Sequence, residues 1–170
     1  MKKIVFITNG TGGCGKDTFA QLLNEILPVY KYSSISRVKL IAYECGWNGR
    51  KDEKDRKFLS DLKRLLTEYS DLPFEDIKKR HREWLFDDKL PVMIIDIREP
   101  EEIQRAKEAF DAQTILIVND RVKPITSNMA DANVLDYNYD IIIENNGTID
   151  DFRNTISEFA SHYIFNKEND

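Results

Sequence analysis

Residues 3 to 9, KIVFITN, form a nearly unbroken apolar and β-branched run, and the chain turns from it directly into GTGGCGKDT at positions 10 to 18. A run of that kind suits a strand covered on both faces, as in parallel sheets. Phe19, Leu22, Leu23 and Ile26 then recur at i, i+3, i+4 and i+7, so a helix follows the glycine loop with no linker between them. Strand, glycine loop and helix in immediate succession commit the chain to an alternating α/β architecture.

The rest of the chain repeats that alternation. PVMIIDI (91 to 97), TILIVN (114 to 119) and DIIIEN (140 to 145) read as further two-sided strands, and the more polar VYKYSS (29 to 34) as an edge strand. Helical stripes fall at Phe58, Leu62, Leu65 and Tyr69, at Phe74, Ile77, Trp84 and Leu85, at Ile103, Ala106 and Phe110, and at Phe152, Ile156, Phe159 and Tyr163. The last stripe is opened by a capping pattern from Thr148 to Asp151. Right-handed crossovers between such strands give a parallel sheet with helices on both faces. Residues 35 to 89 are too many for one crossover, so several helices standing off the sheet are expected there. Ligands in this architecture bind beyond the carboxyl ends of the strands, which makes that insertion the expected enclosure for an acceptor.

A length of 170 residues suits one domain, expected over 1 to 170. The opening apolar run is too short for a signal-peptide core or a membrane span, so a cytoplasmic protein without a membrane partner is expected. Two scattered cysteines, Cys14 and Cys45, suggest no disulfide framework. A net charge of −5 argues against nonspecific nucleic-acid binding, so any basic site must be local.

The glycine loop has the spacing G-x-x-x-x-G-K. Backbone N–H groups can converge on an anion only where side chains do not intrude, and the following helix adds its positive end. Gly10, Thr11, Gly12, Gly13, Cys14 and Gly15 are therefore expected to cradle a nucleotide's phosphates. Lys16 supplies a mobile charge for the β- and γ-phosphates, and Thr18 is placed to offer a hydroxyl to the α-phosphate. Asp17 stands where such loops usually carry a serine or threonine. It reads as a magnesium ligand, direct or through water, or as a first-turn carboxylate favoured by the helix dipole. Cys14 reads as a thiol made acidic by the loop or as a small side chain tolerated in a tight bend.

Enzymes that activate water usually place a glutamate after the strand-end aspartate, whereas here Asp96 is followed by Ile97 and Arg98. A base-reading N-K-x-D sequence is absent as well. Transfer to a bound acceptor remains, a chemistry of positioning and positive charge.

GxxxxGKDT, SSISRVK (33 to 39), GWNGRKDEKDRKFLSDLKRL (46 to 65), DIREPEEI (96 to 103) and YDIIIENNGTIDDF (139 to 152) together resemble the phage-type deoxynucleoside monophosphate kinases and related adenylate-kinase-like P-loop kinases, over about residues 3 to 160. Phosphomevalonate kinases look like distant relatives with a different acceptor. The resemblance implies a three-layer P-loop fold with strand order 2-3-1-4-5, ATP as donor, magnesium, and a nucleotide acceptor. It implies that Lys16 stabilises the transferring group, that Asp17 and Asp96 hold the metal, and that Arg98 clamps the acceptor phosphate; Glu99 either orients Arg98 or is simply an acidic residue opening a helix. Arg121, with Lys123 behind it, falls where such kinases carry lid arginines, in a short lid-like region over 120 to 133. Ser33, Arg37, Lys39 and Arg56 fall where the acceptor binds, although exposed helix faces account for Arg37 and Lys39 equally well. Trp47 is either a stacking platform for a base or core. Asn128 and Asp131 are either ligand contacts or helix caps. Lys78, Lys79, Arg80 and Arg82 form the strongest basic run, read as a solvated face around the stripe histidine His81. A kinase for another phosphorylated small molecule and a nucleotide-binding regulatory module stay open, as does the choice between monomer and homodimer.

Overall fold

The structure is a computed structural model that describes residues 3–50, 52–122 and 134–166. Five strands, β1 (Ile4–Asn9), β2 (Val29–Ser33), β3 (Val92–Asp96), β4 (Gln113–Val118) and β5 (Ile141–Glu144), form one sheet in the order β2-β3-β1-β4-β5. Every pairing is parallel, and the register sets Thr8 of β1 beside Asp96 of β3 and Ser33 of β2 beside the same aspartate. The chain's turning points therefore collect at one end of the sheet.

Alternation along the strands divides the core. Phe6, Ile94 and Ile115 face α1 (Lys16–Ile26) and α6 (Ile149–Ala160), burying Phe19, Leu23, Phe152 and Phe159 between them. Val5, Ile7, Met93 and Ile95 face the other way, onto α4 (Leu72–Leu85) and α5 (Pro100–Phe110), where Phe74, Ile77, Trp84 and Phe110 pack. α6 opens with a full capping box: the Thr148 side chain accepts from the Asp151 amide while Asp151 accepts from the Thr148 amide.

Between β2 and β3 lie α2 (Ser36–Glu44), α3 (Glu53–Ser70) and α4. Only α2 and α3 stand off the sheet, closing a small third core of Ala42, Trp47 and Leu59. α4, expected to stand off with them, lies on the sheet because Phe74, Ile77 and Trp84 are long enough to fill the second core.

Three apolar readings need correction. The α3 stripe does not run through Leu65 and Tyr69, which are 54% and 90% exposed; the helix touches its small core through Phe58, Leu59 and Leu62. Leu85, the last member of the α4 stripe, is exposed at the helix end. β5 is covered on one face only, since Ile141 and Ile143 are buried while Ile142 is 64% exposed. An outermost strand can keep an apolar side chain in water where a central strand cannot.

Candidate active site

β1 delivers the chain to the glycine loop through Asn9, which is wholly buried. Its Oδ1 accepts from the Gly10 amide at 2.8 Å, and its Nδ2 donates to the Arg98 carbonyl at 3.1 Å and to the Tyr139 hydroxyl at 2.7 Å. One side chain thus fastens the start of the loop to the segment that carries Arg98. Gly10 has φ +151°, and a Cβ there would lie 2.5 Å from both the Ile117 carbonyl oxygen and the Cys14 Sγ. Gly15, at φ +110°, is equally tight against the Asn145 amide, whose Nδ2 donates to the Cys14 carbonyl at 2.9 Å. α1 starts at Lys16 with Gly15 as its N-cap, a residue with no side chain to cap the first turn. The Lys16 ammonium folds back onto the loop, donating to the Gly10 carbonyl at 2.7 Å and the Thr11 carbonyl at 3.4 Å. Cys14 is buried beneath it, and burial pushes the thiol up against the pull of Lys16. The reading of an acidified thiol is corrected: desolvation outweighs the neighbouring charge, and Cys14 is a packing residue.

The two expected metal carboxylates do converge. The Thr8 hydroxyl donates to Asp96 Oδ1, fixing the carboxylate at the end of β3. Asp96 Oδ2 lies 3.1 Å from the Lys31 Nζ, and the same ammonium pairs with Asp17 Oδ1 from the first turn of α1. Burial alone would lower the Lys31 pKa, but Asp96 and Asp17 outweigh it and hold the ammonium above its ordinary range. One cation therefore already sits between the oxygens assigned to magnesium, and hard oxygen donors suit that ion. Among the described residues no three or more His, Cys, Asp or Glu side chains are grouped to hold a metal by themselves. A magnesium ion here fits only if phosphates and water complete its shell, which is how such ions are commonly held.

Arg98 follows two residues beyond Asp96, with Ile97 between them fully buried as an anchor. Glu99 does not stand alone beside it. Lys63 of α3 reaches across to Glu99 Oε2 at 2.7 Å and Glu102 Oε2 at 2.6 Å. Lys63 and Glu102 have side chains only 13% and 15% exposed. Burial would raise the Glu99 pKa, yet the Lys63 charge holds it low; burial drives Glu102 up, to about 7, because one ammonium cannot compensate two carboxylates. Such a raised acid lends its stability fully below the unfolded value of 4.5 and loses it as pH rises through about 7. Glu102→Gln, which keeps an acceptor for Lys63, should flatten the fall in thermal midpoint between pH 5 and pH 8 and be the more stable protein at pH 8. Melting curves across that range check it, and parallel slopes for the two proteins would reject the assignment.

Ser33 ends β2 beside Asp96, Arg37 is exposed and Lys39 half-buried on α2, and Arg56 is half-buried on α3. Trp47 is corrected: it is 9% exposed, its ring lies 4.7 Å from that of Tyr43, and its Nε1 donates to the Arg50 carbonyl at 3.2 Å, so it is core rather than a stacking platform. Arg121 donates to the carbonyls of Asn145 at 3.3 Å and Gly147 at 3.0 Å, joining the turn after β4 to the loop after β5. Lys123, Asn128 and Asp131, with most of the 120 to 133 region, lie outside the described residues. Within the basic run Lys78 pairs with Glu75, Lys79 and Arg80 pair with Glu83, and Arg80 also lies over the Tyr32 ring. His81 rests 4.6 Å from the Phe110 ring, and burial, aided by Arg82, lowers its pKa. Sequence reasoning missed Asn9, Lys31 and Lys63. Lys31 alone carried a signal, a lysine at the centre of a strand whose neighbours Tyr30 and Tyr32 face the opposite side.

No family model matches the sequence, and no curated protein matches it either. Solved structures do. TT1252 from Thermus thermophilus superposes with a TM-score of 0.55 at 15% identity, covering 96% of this chain and 99% of that one. Shikimate kinase from Aquifex aeolicus gives 0.50 at 13% identity, covering 94% and 99%. With the strand order and the glycine loop, these likenesses decide the architecture. This is the P-loop kinase fold.

Proposed function

We propose that the protein is an ATP- and magnesium-dependent kinase that transfers the γ-phosphoryl group to a nucleoside monophosphate, a deoxynucleotide in the closest form of the resemblance. The observation that carries this reading is the Lys16 ammonium folded onto the Gly10–Gly15 loop at the uncapped start of α1, with Asp96 and Arg98 at the end of the neighbouring strand but one in sequence. The loop amides and the first turn of α1 bind the β- and γ-phosphates. Lys16 exchanges the carbonyls of Gly10 and Thr11 for phosphate oxygens and stays with the γ-group as charge moves onto the leaving oxygen. Asp17 and Asp96 hold the metal, which when bound neutralises phosphate charge. Arg98 grips the acceptor phosphate with its planar fork. Arg121 joins the transferring group only by giving up the carbonyls of Asn145 and Gly147, a short movement rather than the swing of a large lid.

The test is ADP formation with ATP, magnesium and a panel of ribo- and deoxynucleoside monophosphates, together with phosphorylated acceptors that carry no base. Turnover on one nucleotide supports the reading. Arg98→Ala should raise the acceptor KM by roughly a hundredfold, the loss of a charged bidentate contact, while the ATP Kd stays within about threefold. Equal damage to both would reject the role of Arg98, and ATP binding with no turnover on any acceptor would make the protein a binding module. The burial of Trp47 favours a second reading, a kinase for a phosphorylated small molecule without a base, because the aromatic side chain assigned to base stacking is committed to the core.

A further inference from the structure

The P-loop reading uses Asp17 and Asp96 but has no task for the lysine that joins them. Its position is dictated by β2. Val29 packs into the core on the α1 side, while Tyr30 and Tyr32 pack on the α4 side, so Lys31 projects toward α1. In register Lys31 stands beside Ile94, two residues short of Asp96, and its four-carbon stem carries the ammonium along the sheet to that carboxylate. α1 brings Asp17 to the same point from the other side. Three elements thus meet at one ammonium, whose side chain is 28% exposed. Lys16 does not share the task, because its ammonium is on the loop carbonyls.

Charge and geometry give this arrangement a consequence. Two carboxylates directed at one point repel each other unless a cation lies between them. An ammonium supplies one charge through N–H donors, whereas magnesium demands near-octahedral oxygens at about 2.0–2.1 Å and gives up its water reluctantly. With Lys31 in place, a divalent ion arriving alone meets two carboxylates whose charge is already half-compensated and whose oxygens are turned to the ammonium. An ion arriving on a triphosphate comes with part of its oxygen shell already filled, and the phosphates offer the displaced ammonium a new partner.

We propose that Lys31 is a built-in counter-cation of the metal site, holding Asp17 and Asp96 together in the nucleotide-free protein and making divalent-ion binding contingent on nucleotide. The proposal rests on the kinase reading above. Lys31 is a positioning residue: it acts through the two aspartates and yields its place to the metal.

The experiment measures Mn2+ binding by electron paramagnetic resonance in wild type, Lys31→Met and Lys31→Arg, each with and without a nonhydrolysable ATP analogue. Circular dichroism monitors folding, with Lys31→Gln as the substitute if the methionine variant does not fold. Without nucleotide, Lys31→Met should bind Mn2+ at least roughly tenfold more tightly than wild type, since removing one positive charge beside the ion is worth that much even in a partly solvated site. Lys31→Arg, which keeps the charge, should stay near wild type. With the analogue present the difference between the proteins should shrink. Equal Mn2+ affinities in wild type and Lys31→Met, with analogue binding intact, would overturn the counter-cation alone. Failure of every protein to bind the analogue would overturn the kinase reading and the proposal with it.

Discussion

Replacing Lys16 by alanine is expected to lower acceptor-dependent ADP formation by roughly a thousandfold while leaving the fold intact. The size follows from what the ammonium does. Phosphoryl transfer gives the protein little covalent chemistry to perform, and fixed positive charge aimed at the moving group carries most of the acceleration, at about a hundredfold to several thousandfold per group. The neutral outcome for the fold follows from the few contacts that Lys16 makes. Lys16 makes two hydrogen bonds to loop carbonyls and one weak contact with Cys14, the only one of these three partners that belongs to an apolar core. Their loss should cost about 1 kcal/mol, a shift of about 2–4 °C in thermal midpoint for a chain of this size. Steady-state ADP release and a melting curve check the two halves separately. Retention of more than about a tenth of the wild-type rate would remove Lys16 from the reaction, whatever the loop binds.

That prediction was legible because everything it needs is local. A buried strand, a glycine run and an amphipathic helix within residues 4 to 26 specify the loop without help from the rest of the chain. The central strands were legible for a related reason: parallel strands covered on both faces must be apolar throughout, so β1, β3 and β4 announce themselves. Signals failed where packing, not pattern, decides. Leu65 and Tyr69 keep helical spacing with Phe58 and Leu62, but α3 has only a small partner to bury them against, and the distal half of the stripe stays in water. Asn9 reads as an ordinary turn former until the fold brings Arg98 and Tyr139 to it, from 89 and 130 positions away. The Lys63 clamp is invisible for the same reason, since its carboxylates sit at the start of α5, 36 and 39 positions later. Trp47 shows the reverse failure: an aromatic residue in a polar segment invites a ligand, and the third core had no local signature to claim it.

The last prediction tests whether the loop's shape, apart from its charge, is what the first strand is built to present. Gly10→Ala places a methyl group 2.5 Å from the Ile117 carbonyl oxygen and the Cys14 sulfur, at a backbone φ of +151°. Neither neighbour can yield cheaply. Ile117 lies in β4 beside β1, is 1% exposed and takes part in the sheet, and Cys14 is wholly buried beneath the loop. Gly46→Ala is the proper comparison, since φ there is +91° but nothing lies within 4 Å of the added carbon. Positive φ alone costs about 1–2 kcal/mol in a residue with a Cβ. Gly46→Ala should therefore lower the thermal midpoint by only a few degrees and leave nucleotide affinity unchanged. Gly10→Ala adds steric displacement of a buried carbonyl and of the Gly10 amide that donates to Asn9, for a total of about 3 kcal/mol or more. Its midpoint should fall by roughly 6–12 °C, and affinity for an ATP analogue should drop at least about a hundredfold, because a shifted loop no longer aims its amides at one anion. Calorimetry and analogue titration measure both quantities on both variants. If Gly10→Ala bound the analogue as tightly as Gly46→Ala, the backbone of this bend would not be the anion cradle, and the phosphate site would have to be sought elsewhere along the carboxyl edge of the sheet.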